Sequence, residues 1–319
     1  AHNNLGNTLR NLNQLDAAVK SFEKALAIKP DYADAHNNLG VTLQELDQLD
    51  DAIKCYEKVI AIKPDYTEAH NNLGNALYDL GQLDDAIKCY EQALSIKPDY
   101  ADAHNNLGIA LKKLDQHDAA VKSFEKTLAI KPDHVEAHNN LGNTLRNLNQ
   151  LDAAVKSFEK ALAIKPDYAE VHNNLGNALK DLGQLDASIK SFEQALTIKP
   201  DYAEAHNSLG NTFNELSQLD AAVKSYEQAL AIKPDFAEAH NNLGVTLQEL
   251  RQLDAALVSF ERALVLKPDI NFLLGQSLHS KMTLCLWDDL PNHLNELTKK
   301  INNNEIVIEP FSMLALTDD

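Results

Sequence analysis

A strict internal repeat limits what this chain can fold into more than any other feature of its sequence. Copies of the hexapeptide AHNNLG, intact or with one substitution, stand at residues 1–6, 35–40, 69–74, 103–108, 137–142, 171–176, 205–210 and 239–244. The spacing of these copies is constant and gives a 34-residue period. A unit of this size cannot bury its apolar face alone and must stack on its neighbours. The sequence therefore predicts a solenoid with a continuous core.

Each unit has the pattern of two amphipathic helices. In residues 33–66, Leu39 and Leu43 mark the apolar face of a first helix at the 3.6-residue period, and Ala52 and Tyr56 mark the face of a second. Apolar residues on one stripe of each helix favour packing of the two helices as a pair. The sequence therefore predicts an all-α fold.

Polar residues and proline predict where these helices begin and end. Asp50 is predicted as the N-cap of the second helix, and Pro64 as its end. Asp65 and Glu68 resemble a capping box at the start of the next first helix. Gly40 is predicted to let the two helices of a pair approach closely.

These positions together resemble the tetratricopeptide repeat signature. The residues that carry the resemblance are His36, Leu39, Gly40, Leu43, Ala52, Tyr56 and Pro64. The resemblance covers eight units over residues 1–270, the first truncated at its start. It implies an all-α, right-handed superhelix (an α-solenoid) of antiparallel helix pairs with a concave groove that binds protein segments.

Composition restricts the partners of the chain. The formal net charge is −18, most of it at predicted caps, first turns and helix surfaces, and there is no basic stripe that could bind a nucleic-acid backbone. No run approaches the ~18 apolar residues that cross a bilayer. The three cysteines give no disulfide framework. We expect a cytoplasmic protein that binds neither nucleic acid nor membrane, and self-association stays open.

Neither a metal site nor a catalytic site is predicted. One histidine per repeat, His36 for example, cannot converge on a single ion, and we expect these side chains to fill the place of the family's aromatic residue. Cys285, Asp288 and His293 lie close in sequence, but without a supporting motif. We therefore expect no cofactor and no enzymatic activity in this chain.

The repeat pattern changes after Pro268. Residues 271–304 are predicted to form two helices that cap the last repeat, because Leu273, Leu274 and Leu278 can cover its apolar end. Residues 305–319 are predicted to form an extended linker toward a further domain.

The same region carries a second resemblance. The stretches LHSKMTLCLWDD (278–289) and EPFSMLALTDD (309–319) are similar to the junction between the repeats and the glycosyltransferase domain in O-GlcNAc transferase-like proteins. The resemblance implies that this chain is the non-catalytic, substrate-recruiting part of a UDP-GlcNAc-dependent protein O-glycosyltransferase.

Paired asparagines recur in every unit although asparagine is a poor helix former. Two interpretations remain open. The first is recent duplication, which the identity of residues 1–33 and 137–169 supports. The second is a groove lined by amides that bind the backbone of an extended peptide. O-GlcNAc transferases resemble this chain in carrying an asparagine ladder at the second position. We favour the groove. The predicted peptide-binding residues are Asn4, Asn38, Asn72, Asn106, Asn140, Asn174 and Asn242.

Two functions are consistent with these patterns. The first is a protein-interaction module that recruits substrates for a protein O-glycosyltransferase. The second is a free-standing scaffold or adaptor that assembles a multiprotein complex.

Overall fold

The structure, a computed structural model, describes residues 1–270, 272–286 and 290–303. These residues form eighteen α-helices and no strand, so the predicted all-α fold class is confirmed. In each repeat a first helix (A helix) is followed by a second helix (B helix). The A helices are α1 His2–Asn11, α3 Ala33–Glu45, α5 Thr67–Asp79, α7 Ala101–Lys113, α9 Val135–Asn147, α11 Ala169–Asp181, α13 Ala203–Glu215, α15 Ala237–Glu249 and α17 Leu273–Thr283. The B helices are α2 Leu15–Ile28, α4 Leu49–Ile62, α6 Leu83–Ile96, α8 His117–Ile130, α10 Leu151–Ile164, α12 Leu185–Ile198, α14 Leu219–Ile232, α16 Leu253–Leu266 and α18 Leu290–Asn302.

The chain divides into two compact units. The first, Ala1–Ile164, holds α1 to α10, and the second, Lys165–Asp319, holds α11 to α18. Within each unit every A helix packs against the B helix of its own pair, and that B helix packs against the next A helix. Each unit is thus a stack of helix pairs around its own core.

A glycine in the A helix and an aromatic ring in the B helix make the central contact of each pair. Gly40 is buried against the ring of Tyr56, and a Cβ added to the glycine would lie 2.6 Å from Cε1 of that ring. The same relation joins Gly142 to Phe158, also at 2.6 Å. The predicted close approach is present because no larger side chain fits under the ring.

The turn between the A and B helices places one residue in the left-handed region. Asparagine takes this conformation at Asn13 (φ 56°) and Asn149 (φ 57°), and glycine takes it at Gly81 (φ 78°). The turn recurs at Cys285 (φ 58°), which stands at the repeat position that Arg251 (φ 61°) holds in the preceding pair. The backbone therefore keeps the 34-residue period beyond the point where the sequence signature fails.

The predicted helix caps are wrong by one to two residues. Helix α4 begins at Leu49 after Gln48, which makes no side-chain capping hydrogen bond. Asp50 therefore lies inside the first turn, where its charge faces the positive end of the helix dipole. Helix α5 begins at Thr67 with Tyr66 at its N-cap, so Asp65 lies one residue before the cap position.

Helices α17 and α18 pack at the end of the second unit. Leu273 is fully buried in the cluster that contains Phe260 and Ala263 of α16. Leu278 and Leu297 form a further buried cluster with Leu274. We propose that these helices cap the last full repeat. The predicted linker at residues 305–319 lies outside the described residues.

Hydropathy gives one further result. In the described ranges, none of the helices combines the length and the apolar character that a bilayer crossing requires.

We expect Gly142→Ala to lower the free energy of unfolding by about 1–2 kcal/mol. The added Cβ meets the Phe158 ring, and overpacking of this kind outweighs the better helix propensity of alanine, roughly 1 kcal/mol. Gly81→Asn is the control, because no atom lies within 4 Å of its Cβ position and asparagine takes this conformation elsewhere. Urea denaturation of both variants tests the contact, and equal stability would contradict it.

The cap is tested by shortening one buried side chain. We expect Leu273→Ala to destabilise the chain by about 2–5 kcal/mol, because it opens a cavity against α16. Val258, on α16 itself, is 67% exposed, and Val258→Ala should change stability by less than about 0.5 kcal/mol. Denaturation midpoints that shift equally in the two variants would show that α17 does not cover the repeat.

Candidate functional site

A row of side-chain amides joins successive A helices. The Nδ2 of the second asparagine in one repeat donates a hydrogen bond to Oδ1 of the first asparagine in the repeat before. The pairs are Asn38 to Asn3 (3.1 Å), Asn72 to Asn37 (3.2 Å), Asn106 to Asn71 (3.1 Å) and Asn242 to Asn207 (3.1 Å). We call this set of contacts the amide row, and the surface that carries it the A face.

Two members of the row use both of their N–H groups inside the protein. Asn106 Nδ2 also donates to Oδ1 of Asn75, at 3.0 Å, and the Tyr90 hydroxyl donates to the same oxygen at 2.9 Å. The second unit repeats this arrangement at Asn242, whose second acceptor is Asn211 at 3.0 Å. An amide nitrogen has two hydrogens, so only Oδ1 of these asparagines is left to contact a ligand. Simultaneous pairing with a peptide N–H and C=O, as the sequence suggested, would break the row.

The row is interrupted where serine replaces the second asparagine. Ser208 stands where the donor to Asn173 is expected but carries no amide. Asn173 is 7% exposed, and its Oδ1 is buried without a hydrogen-bond partner. Asn105 Oδ1 is also buried without a partner although Asn140 keeps the amide at the donor position, so the row is interrupted there as well.

A second row of contacts follows two turns further along the A helices, and it joins neighbouring repeats with the same offset in sequence. Arg10 Nε lies 3.9 Å from Glu45, Gln44 donates to Asp79 at 2.9 Å, Lys113 lies 4.7 Å from the ring centre of Tyr78, and Lys180 lies 3.2 Å from Glu215. We call this the charge row. Its members differ in charge and size from repeat to repeat, and their exposure makes each pair weak.

The predicted asparagines therefore divide into groups. Asn38, Asn72, Asn106 and Asn242 are half-buried and joined in the amide row. Asn140 and Asn174 are half-buried, and Asn4 is exposed. Sequence reasoning missed the first asparagines as acceptors and the charge row as paired contacts. A search for polar pairs separated by the repeat length plus one would have found both.

The recurring histidines make a hydrogen bond that the sequence did not predict. In each pair, Nε2–H donates to the carbonyl oxygen of the proline in the loop before the A helix, over 2.8–3.1 Å. The histidines are His36, His70, His104, His138, His172, His206 and His240. They tie each A helix to the loop before it, instead of only filling space. Burial lowers the pKa of His104 and His138.

Two kinds of concave surface are present. The A face carries a small cavity of about 280 Å³ lined by Asn242, Asn211 and Lys180. Grooves between successive B helices, which we call B grooves, are larger, about 730 and 630 Å³ in the first unit. Ala129 lines both of these B grooves. The amides lie on the first kind of surface only.

The cysteines have no reactive character in the repeats. Cys55 and Cys89 are half-buried free thiols. Burial raises the pKa of both to about 11, so they stay protonated at neutral pH and are poor nucleophiles.

Comparison with protein families now identifies the class. The chain matches the family model described as TPR repeat at residues 6–47, 45–81, 74–115, 142–183, 176–217 and 210–251. Two further models, described as tetratricopeptide repeat, match residues 101–134, 237–270 and 123–156. The chain belongs to the tetratricopeptide repeat family.

Solved structures share this fold. The crystal structure of the APC/C hetero-tetramer Cut9-Hcn1 matches with a TM-score of 0.62 and 15% identity, over 83% of this chain and 52% of that one. YrrB, described as a TPR protein with an unusual peptide-binding site, matches with a TM-score of 0.51 and 23% identity, over 59% of this chain and 96% of that one. MamA is 29% identical over 52% of this chain and 96% of that one, with a TM-score of 0.48. No curated protein matches the chain.

We expect Ser208→Asn to stabilise the second unit by about 1 kcal/mol, because the new amide can donate to the unsatisfied Oδ1 of Asn173. Serine and asparagine have similar helix propensities. Ser208→Ala is the control, because alanine, like asparagine, lacks the serine hydroxyl but has no amide that could donate. Differential scanning calorimetry and urea denaturation measure the change. A Ser208→Asn protein no more stable than the parent chain would argue against the amide row as a source of stability.

Proposed function

We propose that the A face binds an extended polypeptide segment, and that the chain is a protein-interaction module. The observation that carries the proposal is the amide row, whose donating asparagines keep their side-chain oxygens to accept hydrogen bonds from a ligand. Asn106 and Asn242 each donate two hydrogen bonds within the protein, which leaves Oδ1 as the atom that can accept from a ligand. Oδ1 of Asn106 also accepts a long hydrogen bond of 3.5 Å from Asn105 Nδ2 and keeps a second lone pair for a ligand. Because the protein already fixes these side chains, a ligand would lose little affinity to ordering them.

The spacing of the row suits an extended backbone. Packed helices are roughly 8–10 Å apart. A polyproline II segment repeats every three residues, or about 9 Å, and its N–H groups are not paired within the segment. Every third N–H of such a ligand could therefore reach one Oδ1 per repeat. This geometry depends on the backbone and accepts many sequences.

Selectivity would come from the charge row. Arg10, Tyr78 and Lys180 stand at equivalent positions in different repeats and present different groups to the same side of the A face. Lys112 stands at the same position in α7. A ligand with complementary charges along its length would be preferred.

We further propose that the partner segment is a substrate delivered to a protein O-glycosyltransferase. This part of the proposal rests on the resemblance of residues 278–289 and 309–319, of which Trp287 and the second stretch lie outside the described residues. The alternative is a scaffold or adaptor without a transferase. Sequencing of the complete gene separates the two, because a nucleotide-sugar-binding domain in the same protein selects the first.

The binding face can be tested with two substitutions to the same residue. Ile109 lies one turn after Asn106 in α7, and Ile109→Arg would obstruct the A face; Ala129→Arg would obstruct both B grooves of the first unit. Dodecapeptides are selected from a random display library on the full chain, and their affinities are measured by fluorescence anisotropy. We expect Ile109→Arg to weaken binding about tenfold or more, equivalent to the loss of one or two hydrogen-bonded contacts.

The outcomes separate the possibilities. Both variants carry the same added charge, so Ala129→Arg controls for net charge as well as for folding. Loss of affinity in Ala129→Arg alone would move the site to the B grooves. Failure to select any peptide would end the proposal that the chain binds polypeptide segments.

A further inference from the structure

A cavity of about 460 Å³ lies between α15 and α17 in the second unit. Its polar lining consists of Gln248, Glu249 and Arg251 from α15 and the following turn, and Gln276 and His279 from α17. None of these five side chains makes a hydrogen bond or an ion pair among the described residues. The positions equivalent to Gln248, Glu249 and Gln276 are engaged in earlier repeats, as the amide and charge rows show.

The cavity exists because the amide row ends here. Gly275 stands at the repeat position of Asn241, and Gln276 stands at that of Asn242. Gly275 has no side chain to fill the space between the helices. Oε1 of Gln276 is buried without a partner, and so is Oδ1 of Asn241. Both unsatisfied atoms are acceptors, so a group that completes this interface must supply N–H donors.

Among the described residues, Glu249, which lines the cavity, has no cation as its partner in the charge row. Glu215 is paired with Lys180 of the preceding A helix, and Glu45 is paired with Arg10 in the same way. The equivalent position for Glu249 is Asn214, whose Nδ2 donates to Oγ1 of Thr246 at 2.8 Å instead. Glu249 therefore has no basic partner from the preceding A helix.

We propose that this cavity binds the basic side chain of a polypeptide, a lysine or an arginine. The ligand's cation pairs with the Glu249 carboxylate and donates to Oε1 of Gln276. The formal net charge of −18 favours the approach of basic segments. The inference rests on the proposed function, since it places a selective subsite at one end of the A face.

Arg251 carries the opposite charge at the same cavity and limits the affinity for a cation. It stands at the left-handed turn position (φ 61°), which serine occupies in the preceding repeat at Ser217 (φ 57°). Arg251→Ser is therefore compatible with the backbone, and it should strengthen the binding of a basic side chain. Glu249→Gln should weaken it while keeping the size of the residue.

The cavity is tested directly with Nα-acetyl-lysine methylamide and its norleucine analogue. The full chain is labelled with ¹³C in its valine methyl groups, and Val245 lines the cavity. We expect the lysine compound at tens of millimolar to shift the Val245 methyl signals, and the norleucine compound to leave them in place. The shift should disappear in Glu249→Gln and persist in Glu227→Gln, which removes an exposed acid from α14 with the same change in net charge. Equal shifts with both compounds, or no shift with either, would overturn the proposal.

Peptide pools separate this inference from the proposed function. Two random dodecapeptide pools, one with a fixed central lysine and one with norleucine there, are passed over the immobilised chain. We expect two- to fivefold stronger retention of the lysine pool, about the effect of an exposed ion pair, and a larger ratio in Arg251→Ser. Equal retention of both pools would overturn the subsite and leave the peptide-binding face standing. Retention of neither pool, together with a lysine-specific Val245 shift, would leave the subsite standing and overturn the peptide-binding face.

Discussion

The contact between a glycine of the A helix and an aromatic ring of the B helix is the constraint on which the repeat depends. With a Cβ position only 2.6 Å from the Tyr56 ring, Gly40 cannot be enlarged unless the two helices move apart. Repetition of one contact fixes the same interhelical distance in each pair. Because the helix pairs have the same geometry, equivalent side chains of neighbouring A helices lie in the same position relative to each other in every repeat. The amide and charge rows are consequences of that regularity.

The amide row explains why the paired asparagines are retained in spite of their poor helix propensity. Asparagine costs several tenths of a kcal/mol relative to alanine in a helix, whereas one hydrogen bond contributes about 0.5–1.5 kcal/mol net. Both members of the pair are needed, because the first accepts from the next repeat and the second donates to the previous one. Neither duplication nor ligand binding alone explains the first asparagine.

The fold class and the approximate helix boundaries could be predicted because they follow from the 34-residue period and from apolar spacing within one unit. The helix caps could not be predicted. Aspartate is a residue type that favours the N-cap, but the turn places Gln48, and not Asp50, at that position. The His36 bond to Pro30 and the amide row were also missed. These contacts join residues by their position in the folded stack, and apolar periodicity carries no information about which polar atoms meet. The cavity beside Gly275 could not be predicted for the same reason. It lies where the amide row ends, and that row is visible only in the folded structure.

The two rows differ in how freely their sequences can change, and this difference bears on function. A half-buried amide such as Asn106 cannot be replaced without leaving the buried Oδ1 of Asn71 on the neighbouring helix unsatisfied, which costs about 1–3 kcal/mol for a buried group. A partly exposed pair such as Lys180 and Glu215 contributes about 1 kcal/mol or less, so either member can change with little effect on folding. The amide row can therefore stay constant, as the proposed backbone-binding surface requires, while the charge row varies. An unpaired charge such as Glu249 costs the fold almost nothing at an exposed position, and for that reason a new preference for a ligand can arise there without loss of the solenoid.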